Sequence, residues 1–219
     1  MVEKIKKADI ILMGAGGHAK VIIEILHQQN LKIAYCLGST DSPDTCLGIP
    51  VLQGNDDDLL VELSTQGYHK IFIAIGSNQI RLALAEKAKK YGFEIINAIS
   101  SYAVISPSAK LGVGIAIMAG VVINADATIR DLVIINTGAS IDHDCILDKA
   151  VHIGPQCGLA GNVKVGSESF LGIGTKVIPG ILIGHSVISG AGTVIVKNIE
   201  NAAACVGVPA KITKFGKSI

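Results

Sequence analysis

Apolar residues recur with two different spacings in the two halves of the chain. Up to about residue 100, short apolar runs alternate with segments in which apolar residues recur every three or four positions, as in 21–26. From Ile105 onward, an aliphatic residue instead returns at every sixth position. The first spacing is typical of amphipathic helices, and the second is typical of a stacked repeat. The pattern therefore predicts two domains, residues 1–100 and residues 101–219.

The first hundred residues predict an α/β domain of Rossmann-like type. The predicted strands are 10–13, 31–37, 70–75 and 94–98, and the predicted helices are 18–28, 56–63 and 79–91. Alternation of this kind is typical of a parallel sheet with helices on its faces. Loops at the carboxyl ends of neighbouring strands converge. We therefore expect the loop at 14–18 and the loop at 76–81 to line one crevice.

The first of these loops carries a glycine motif. Gly14, Gly16 and Ala19 follow the spacing that lets a backbone approach a diphosphate at a helix N-terminus. An NAD site also requires an acidic residue on the ribose about 20 residues further on, but Leu-Gly-Ser stands there at 37–39. NAD is therefore disfavoured. The alternatives are another nucleotide or a tight turn without a ligand, and His18 could be a surface residue at a helix start.

The second half is a hexapeptide repeat. Aliphatic residues occupy every sixth position from Ile105 to Ile195, and Ser189 interrupts the series. A small or β-branched residue usually stands two positions earlier, and glycine often follows directly, as at Gly112 and Gly154. Such hexads predict a parallel β-helix with three hexads to a coil, about five coils in all. The aliphatic residues would fill the interior, and the glycines would let the backbone bend.

In such a β-helix, residues 18 apart stack in columns at the spacing of neighbouring strands, about 4.8 Å. The residues just before the interior aliphatics then face outward. Their columns are Ala116, Ile134, His152, Phe170 and Ile188; Val122, Ser140, Gly158, Lys176 and Val194; and Thr128, Ile146, Lys164 and Leu182. The first column is apolar except for His152. A soluble protein does not usually expose an apolar stripe of this length. We expect it to be buried between subunits, with His152 in a functional groove or as a structural interface residue.

Composition narrows the class of protein. The chain has 19 basic and 18 acidic residues, a formal charge of +1, so no overall field favours nucleic acid or a membrane surface. Its apolar runs are shorter than a membrane span, and no signal-peptide core follows the charged segment 1–7. The five cysteines form no Cys-x-x-Cys pair, so we expect buried, reduced thiols and no metal. A cytoplasmic protein without a nucleic-acid or membrane partner is the expectation.

Specific motifs follow one another along almost the whole chain. They are GAGGHAK at 14–20, IAIGSNQIR at 73–81, ISPSA at 105–109, NTGASIDHDC at 136–145, GNVKVG at 161–166 and VGVPAK at 206–211. In these motifs the chain resembles the left-handed β-helix (hexapeptide-repeat) acyltransferases. More narrowly, it is similar to bacterial nucleotide-amino-sugar N-acetyltransferases of the bacillosamine and perosamine type and to their sialic acid O-acetyltransferase relatives. The handedness of the coil comes from this resemblance, because the repeat alone indicates only a helix.

The resemblance implies a catalytic set. His143 would be the general base that takes a proton from an attacking amine, and Asp144, where the family more often has Glu, would orient it. The Gly161 N–H would stabilise the oxyanion. Gly161 follows His143 by one coil, so the two are expected to stack. From position alone, His143 could be an ordinary exposed histidine and Gly161 a corner glycine.

The resemblance also implies two sets of binding residues. For acetyl-CoA they are His152, Gly161, Gly172, Ile173, Gly190, Ala191, Pro209 and Lys211; for the sugar nucleotide they are Gly14, Gly16, Gly17, His18, Gly76, Ser77, Asn78, Arg81 and Asn136. The first domain would bind the nucleotide, and the β-helix would carry out acetyl transfer in a homotrimer with active sites between subunits. Without a ligand, the segment 206–211 would only fold a terminal strand back onto the β-helix.

The function implied is acetyl-CoA-dependent N-acetylation of a nucleotide-linked 4-amino-4,6-dideoxy sugar, with UDP as the expected carrier and direct attack on the thioester. The alternative is an O-acetyltransferase of sialic acid or a related sugar. A β-helix scaffold without turnover is the rival from another class, and an NAD-dependent dehydrogenase is the most distant alternative.

Overall fold

The computed structural model describes the backbone of residues 7–215 and the side chains of residues 9–213. The chain divides into two compact units, one that ends at Ala98 and one that begins at Ile99. The predicted domains also include residues 1–6 and 216–219, which lie outside the described residues, as does most of the charged segment 1–7. Among the helices of the described part, none has the length and apolar character needed to cross a bilayer.

The first unit is an α/β sandwich built on one sheet. Its elements are β1 (Lys7–Met13), α1 (Gly17–Gln28), β2 (Ile33–Gly38), β3 (Thr45–Cys46), β4 (Ile49–Gln53), α2 (Asp56–Thr65), β5 (Tyr68–Ile73), α3 (Asn78–Lys90) and β6 (Glu94–Ile95). Within the described residues the sheet has the strand order β3-β4-β2-β1-β5-β6. The pairs β1–β2, β1–β5, β2–β4 and β5–β6 are parallel, as the alternating pattern predicts.

The structure corrects the prediction at two places in this sheet. The hairpin β3–β4 was missed, and its antiparallel edge strand makes the sheet mixed. Its strands are short and enclose a turn at Gly48, so their apolar run is too brief to indicate strands. The predicted strand 94–98 is also two pieces. Only β6 belongs to this sheet, and Ala98–Ile99 (β7) pairs in the β-helix.

Helices α1 and α2 pack by their apolar faces, as their spacing predicts, whereas the buried face of α3 includes Arg81. In α1, the buried residues are Ala19, Ile22, Ile23, Ile25 and Leu26. In α2, the side chain of Asn55 caps the N-terminus by accepting hydrogen bonds from two backbone N–H groups, while Leu60 and Leu63 are buried. Such a cap satisfies amide groups that a helix start leaves unpaired.

The second unit is a parallel β-helix of two-residue strands. Strands β7 to β23 are, in chain order, Ala98–Ile99, Val104–Ile105, Lys110–Leu111, Ala116–Ile117, Val122–Ile123, Thr128–Ile129, Ile134–Ile135, Ser140–Ile141, Ile146–Leu147, His152–Ile153, Gly158–Leu159, Lys164–Val165, Phe170–Leu171, Lys176–Val177, Leu182–Ile183, Ile188–Ser189 and Val194–Ile195. Ala203–Val206 (β24) and Lys211–Phe215 (β25) follow as an antiparallel hairpin. The hairpin continues the coil, because β24 pairs in parallel with β22.

Every third strand belongs to the same sheet, so the β-helix has three faces. The first face contains β7, β10, β13, β16, β19, β22, β24 and β25; the second contains β8, β11, β14, β17, β20 and β23; the third contains β9, β12, β15, β18 and β21. Partners such as His152 and Phe170, or Ser140 and Gly158, stand 18 residues apart. The three predicted columns are thereby confirmed.

The interior is filled as the repeat predicts, and Ser189, which interrupts the aliphatic series, has hydrogen-bond partners there. The repeated aliphatic and small residues form one continuous buried core. The hydroxyl of Ser189 lies 2.9 Å from that of Thr175 and accepts a hydrogen bond from the Gly172 N–H at 3.2 Å. A buried hydroxyl with such partners costs little, so the β-helix tolerates a polar residue in this slot.

The role expected of the glycines that follow the interior residues is wrong. The left-handed backbone conformation falls two positions later, at the third residue after the interior residues from Leu111 to Ser189, and non-glycine residues such as Asp144 (φ 60°) adopt it. The glycines instead provide space between coils. A Cβ on Gly154 would lie 2.6 Å from the Leu171 carbonyl oxygen, and a Cβ on Gly172 would lie 2.6 Å from that of Ser189.

Candidate active site

His143 lies at a corner of the β-helix, where the chain turns from the second face to the third. We call the stacked turns that include Ala125, His143, Gly161 and Pro179 the His143 corner. The imidazole points outward, with 55% of the side chain exposed. Its Nδ1–H donates to Asp144 Oδ2 over 2.8 Å, so the shorter Asp makes the contact that the resemblance assigns to an acidic residue. This bond leaves Nε2 as the proton acceptor.

Hydrogen bonds to the coils before and after it fix the turn at His143. The Asp144 N–H donates to the Ala125 carbonyl over 3.0 Å, and the His143 carbonyl accepts from the Asn162 N–H over 2.9 Å. Asp142 adds a side-chain support, because its Oδ1 accepts from the His143 N–H at 2.8 Å and from Asn124 Nδ2 at 2.9 Å. The sequence analysis missed Asp142 and Asn124, although both belong to the same pair of coils.

Gly161 lies directly against the imidazole. A Cβ on Gly161 would come within 2.5 Å of both Cε1 and Nε2 of His143, so any side chain there would displace the ring. The His143 N–H is capped by Asp142, but the residue before Gly161 is alanine and offers no such acceptor. Within residues 7–215, the Gly161 N–H makes no hydrogen bond. The corner thus holds a ring nitrogen and an unused amide close together.

The charges around His143 favour its protonated form. The hydrogen bond to Asp144 and the negative charges of Asp142 and Asp144 raise the pKa of the imidazole above its ordinary value. The His143 N–H and Asn124 in turn lower the pKa of Asp142. Asp142 and Asp144 therefore make His143 a stronger base than a free histidine.

The other β-helix residues of the predicted site lie elsewhere on the same chain. Asn136, Gly172, Ile173, Gly190 and Ala191 stand where the chain turns from the first face to the second, which we call the Ile173 corner. Ile173 and Ala191 are exposed there, whereas Gly172 is buried. One chain therefore does not bring these residues to the His143 corner, because the second face separates the two corners.

His152 lies on the first face between the Ile173 corner and the third corner. Its ring makes an edge contact with Phe170, with ring centroids 5.0 Å apart. The column to which both belong is only partly open, because Ala116 and Ile134 are already buried within the single chain. The part of this face that a partner could cover therefore starts at His152.

Pro209 and Lys211 lie at the C-terminal hairpin. Both are exposed, and the motif VGVPAK forms the end of β24, the turn and the start of β25. The motif thus folds the terminal strand back onto the β-helix, and Pro209 and Lys211 remain on the surface, where a ligand could reach them.

The α/β unit contains a cavity of about 620 Å³ at the carboxyl ends of β1 and β2. This volume lies within the range of about 300–1,000 Å³ that is usual for small-molecule sites. Its lining includes Gly14 and Gly16 after β1, Gly38 and Ser39 at the end of β2, and Asn55 and Asp56 at the start of α2. The predicted crevice therefore exists, although the loop at 76–81 contributes only through its neighbour Ile75.

The N-terminus of α1 opens at this cavity without a cap. Gly16 precedes the helix and no side chain hydrogen-bonds its first amides, nor does the first turn carry an acidic residue. Gly17, the first helical residue, is exposed. Unpaired N–H groups and the positive end of the helix dipole make this a favourable place for a phosphate.

His18 is half-buried and Arg81 is buried, so neither is presented on the surface. Burial, with a contribution from the Arg81 charge, lowers the pKa of His18 to about 4, so its imidazole is neutral. Its buried Nε2 has no hydrogen-bond partner among the residues that the structure describes. Arg81 donates to the carbonyls of Ile75 and Gly76 and to Asn78 Oδ1. Arg81 thus supports the loop at 76–81 from within.

Space explains why β2 ends without an acidic residue. A Cβ on Gly38 would lie 2.5 Å from Ser42 Oγ and 2.8 Å from Val51 Cγ1. The turn that follows is closed by the Ser42 N–H donating to the Ser39 carbonyl and by Gln53 donating to the Ser42 carbonyl. A side chain at position 38 therefore has no room, and hydroxyl groups replace the carboxylate at this end of the cavity.

No group of three potential metal ligands occurs among the His, Cys, Asp and Glu side chains of the described residues. The cysteines are free and buried. Burial is also the main reason that the pKa of the Cys36 thiol rises to about 12. The reduced thiols expected from the sequence are thus what the structure shows.

Known proteins are similar to the first unit alone and to nearly the whole chain. A family profile described as the PglD N-terminal domain matches residues 9–88. The chain is 48% identical to PerB from Caulobacter crescentus, solved with CoA and GDP-perosamine, over 94% of this chain and 97% of that one, with a TM-score of 0.89. Two further structures of that enzyme, with one histidine replaced by asparagine or alanine, hold the same two ligands.

The chain is also 36% identical to the acetyltransferase domain of PglB from Neisseria gonorrhoeae FA1090, solved with acetyl coenzyme A. That match covers 94% of this chain and all of the other, with a TM-score of 0.86. WeeI from Acinetobacter baumannii AYE is 23% identical and has the same fold, with a TM-score of 0.78 over 94% and 99% of the two chains. With such identity over nearly the whole of both chains, this chain belongs to the left-handed β-helix sugar N-acetyltransferases, which are acetyl-CoA-dependent enzymes.

Proposed function

We propose that the protein acetylates the amino group of a nucleotide-linked 4-amino-4,6-dideoxy sugar, with His143 as the general base. The observation that carries the proposal is the His143 corner itself. There, an exposed imidazole is held by Asp144 at 2.8 Å and lies against Gly161. A scaffold would need neither the bond nor the missing side chain.

The reaction follows from these groups. The lone pair of the sugar amine attacks the carbonyl carbon of acetyl-CoA, and Nε2 of His143 takes the proton that the nitrogen loses. When the C–S bond breaks, the imidazolium returns this proton to the departing thiolate, so that CoA leaves as the thiol. Asp144 holds Nδ1–H throughout and stabilises the imidazolium.

Gly161 is proposed as the oxyanion donor. Its N–H is unused among the described residues and the residue itself is buried beneath the imidazole. A buried, unpaired N–H is costly, so a charged oxygen at this point would gain from it. Such donors act when negative charge develops on the former carbonyl oxygen.

The sugar nucleotide is proposed to bind at the cavity of the α/β unit. The diphosphate would face the open N-terminus of α1 at Gly14, Gly16 and Gly17, with the neutral His18 behind it. The loop with Gly76, Ser77 and Asn78, supported by Arg81, reaches this cavity only through its neighbour Ile75, so its residues would contact the part of the sugar nucleotide that extends outside the cavity. UDP is the carrier expected from the sequence, whereas the 48% identical enzyme was solved with GDP-perosamine, which favours GDP as the competing carrier.

Acetyl-CoA is proposed to bind along the Ile173 corner, past Gly172, Ile173, Gly190 and Ala191, with Pro209 and Lys211 near its nucleotide end. This placement supports the expected homotrimer. The Ile173 corner and the His143 corner are separated by the second face, so one groove can contain both only if they come from different copies. His152 and Asn136 would then reach the reacting groups from the neighbouring copy.

A thiol-release assay tests the proposal. The full chain is incubated with acetyl-CoA and with GDP- or UDP-linked 4-amino-4,6-dideoxy sugar or free sialic acid, and the product is identified by mass spectrometry. We expect CoA release and an amide product with a nucleotide-linked amino sugar. Release with sialic acid alone would establish the O-acetyltransferase alternative. No release above His143→Ala would establish the scaffold.

The oligomeric part has its own measurement. Light scattering after size-exclusion chromatography should give three times the mass of one chain. An active monomer would show that a single chain completes the site and would contradict the proposed arrangement of the two corners.

A further inference from the structure

The start of α2 presents three consecutive carboxylates with different surroundings. Asp57 is engaged, because Lys87 Nζ and the Tyr91 hydroxyl both donate to it over 2.8 Å. Asp58 is exposed and does not line the cavity. Asp56 lines the cavity and is half-buried. These differences leave Asp56 as the acidic residue of this turn that a bound molecule would meet.

The carboxylate of Asp56 is unused by the protein. Within the part of the chain that the structure describes, it has no hydrogen bond and no ion pair within 4 Å, and it acts on Lys87 only through longer-range attraction. Asn55 beside it accepts two backbone N–H groups through Oδ1, which leaves its Nδ2–H₂ free to donate. The cavity wall thus offers a pair of acceptors next to a donor.

Few nucleobases match that pattern. An ionised carboxylate only accepts hydrogen bonds, so it requires two neighbouring donors. Guanine presents N1–H and N2–H₂ side by side, with O6 next to them as an acceptor. Uracil presents one N–H between two carbonyl oxygens. The partial negative charges of these oxygens would repel the carboxylate. Adenine and cytosine each place an acceptor beside their amino group.

The remaining walls are compatible with a nucleoside. Leu37, Ile75 and Leu84 line the cavity and give apolar surface for a base. Ser39 and Ser42, with hydroxyl oxygens 3.3 Å apart, replace the acidic residue that would otherwise hold a ribose. The uncapped start of α1 follows β1, the start of α2 follows β4, and β2 separates these two strands in the sheet. This separation suits a ligand with its base at α2 and its diphosphate at α1.

We propose that Asp56 is the specificity-determining residue for the carrier, and that it selects a guanine nucleotide by accepting N1–H and N2–H₂. This inference rests on the proposed function, since it places the nucleotide of the substrate in the α/β cavity. It also decides between the two carriers in favour of GDP.

Calorimetric titration of the full chain with GDP, UDP and inosine diphosphate tests the inference. The wild type should bind GDP most tightly. Inosine diphosphate, which lacks the 2-amino group, should bind more weakly, and UDP weakest. Asp56→Asn removes one acceptor and introduces a donor, so its GDP affinity should fall by about 5- to 150-fold, the usual range for a lost bidentate base contact. Its UDP affinity should change by less than about twofold.

Asp58→Asn is the matched control, because it removes the same charge from the same helix turn without altering the cavity wall. It should bind all three nucleotides as the wild type does, and circular dichroism should show that both variants are folded. An unchanged GDP-to-UDP ratio in Asp56→Asn, or a wild type that prefers UDP, overturns the role of Asp56 and leaves the nucleotide site intact. A wild type that binds none of the three overturns the proposed nucleotide site as well.

Discussion

The two units build their sites in opposite ways. At the His143 corner, the groups that matter come from consecutive coils and are held by backbone hydrogen bonds on both sides. In the α/β unit, the cavity is lined by loops from several strands and helices, and its polar groups are partly unused. At the corner, the repeated backbone hydrogen bonds fix the positions of the groups, whereas the positions around the cavity depend on several separate loops.

This difference separates chemistry from recognition. A substitution at the corner should lower kcat and leave KM nearly unchanged, since it affects only groups that act in the transition state. A substitution around the cavity should raise KM for the sugar nucleotide and leave kcat nearly unchanged. Measuring both constants for variants in each unit therefore tests the comparison directly.

The largest effect is expected for His143→Ala. Loss of the general base should reduce kcat by about 10²–10⁴-fold, with KM for both substrates within about threefold of wild type. Steady-state kinetics at saturating substrate measures this. His185→Ala is the control, because His185 is an exposed histidine at the third corner, between the third and first faces, and its ring contacts the neighbouring Ser186. Equal losses in the two variants would remove any special role of the His143 corner.

Gly161→Ala should come next. Its Cβ would fall 2.5 Å from the imidazole, which must swing away, and displacement of a catalytic group by about 1 Å can cost about 10²-fold in rate. Because the ring is the exposed end of its side chain and can turn out into solvent, the melting temperature should hardly change. In the control Gly158→Ala, the new Cβ would lie 3.2 Å from the Lys176 side chain and 3.5 Å from Ser140 Oγ, far from the imidazole. A fully active Gly161→Ala enzyme would contradict the stacked arrangement.

Gly14→Ala probes the other side of the comparison. Gly14 has φ +123° and a Cβ there would lie 2.7 Å from the Ala74 carbonyl oxygen. We expect a stability loss of about 1–3 kcal/mol and a higher KM for the sugar nucleotide, with kcat unchanged at saturation. Gly48→Ala, at φ +79° in open space, has the strain without the contact and should leave KM unaltered. A fall in kcat in Gly14→Ala alone would break the division of labour.

The same contrast explains what the sequence could predict. In a β-helix, the neighbour of a residue is known by counting 18 positions, so the amino-acid sequence alone places Gly161 beside His143. The spacing could not show that glycines such as Gly154 are needed for room, because a close approach between backbones leaves no mark in a six-residue pattern.

No such count applies in the α/β unit. Lys87 and Asp57 pair over 30 positions, and the cavity brings together segments from 13 to 87. The glycine motif predicted the place of the crevice, since strand ends converge. It could not predict that Arg81 turns inward or that the missed hairpin closes the end of β2. The orientation of Arg81 and the position of the hairpin depend on how loops of irregular length pack against one another.

The smallest expected effect comes from Asp144→Asn and concerns pH. Asparagine tolerates the left-handed backbone at this position (φ 60°), and its carbonyl can still accept from Nδ1–H, so the ring orientation is kept and only the charge is lost. Asp144 helps to raise the pKa of His143.

Since the base acts in its neutral form, activity falls as the pH drops through that pKa. The variant, with a lower pKa, should keep activity to lower pH but with a weaker base and a kcat reduced a few-fold at the plateau. Asp126→Asn, one coil earlier at the same corner and without a bond to the imidazole, should leave the profile in place. If the acidic limb moves to higher pH in Asp144→Asn, the carboxylate does not act on His143 through its charge.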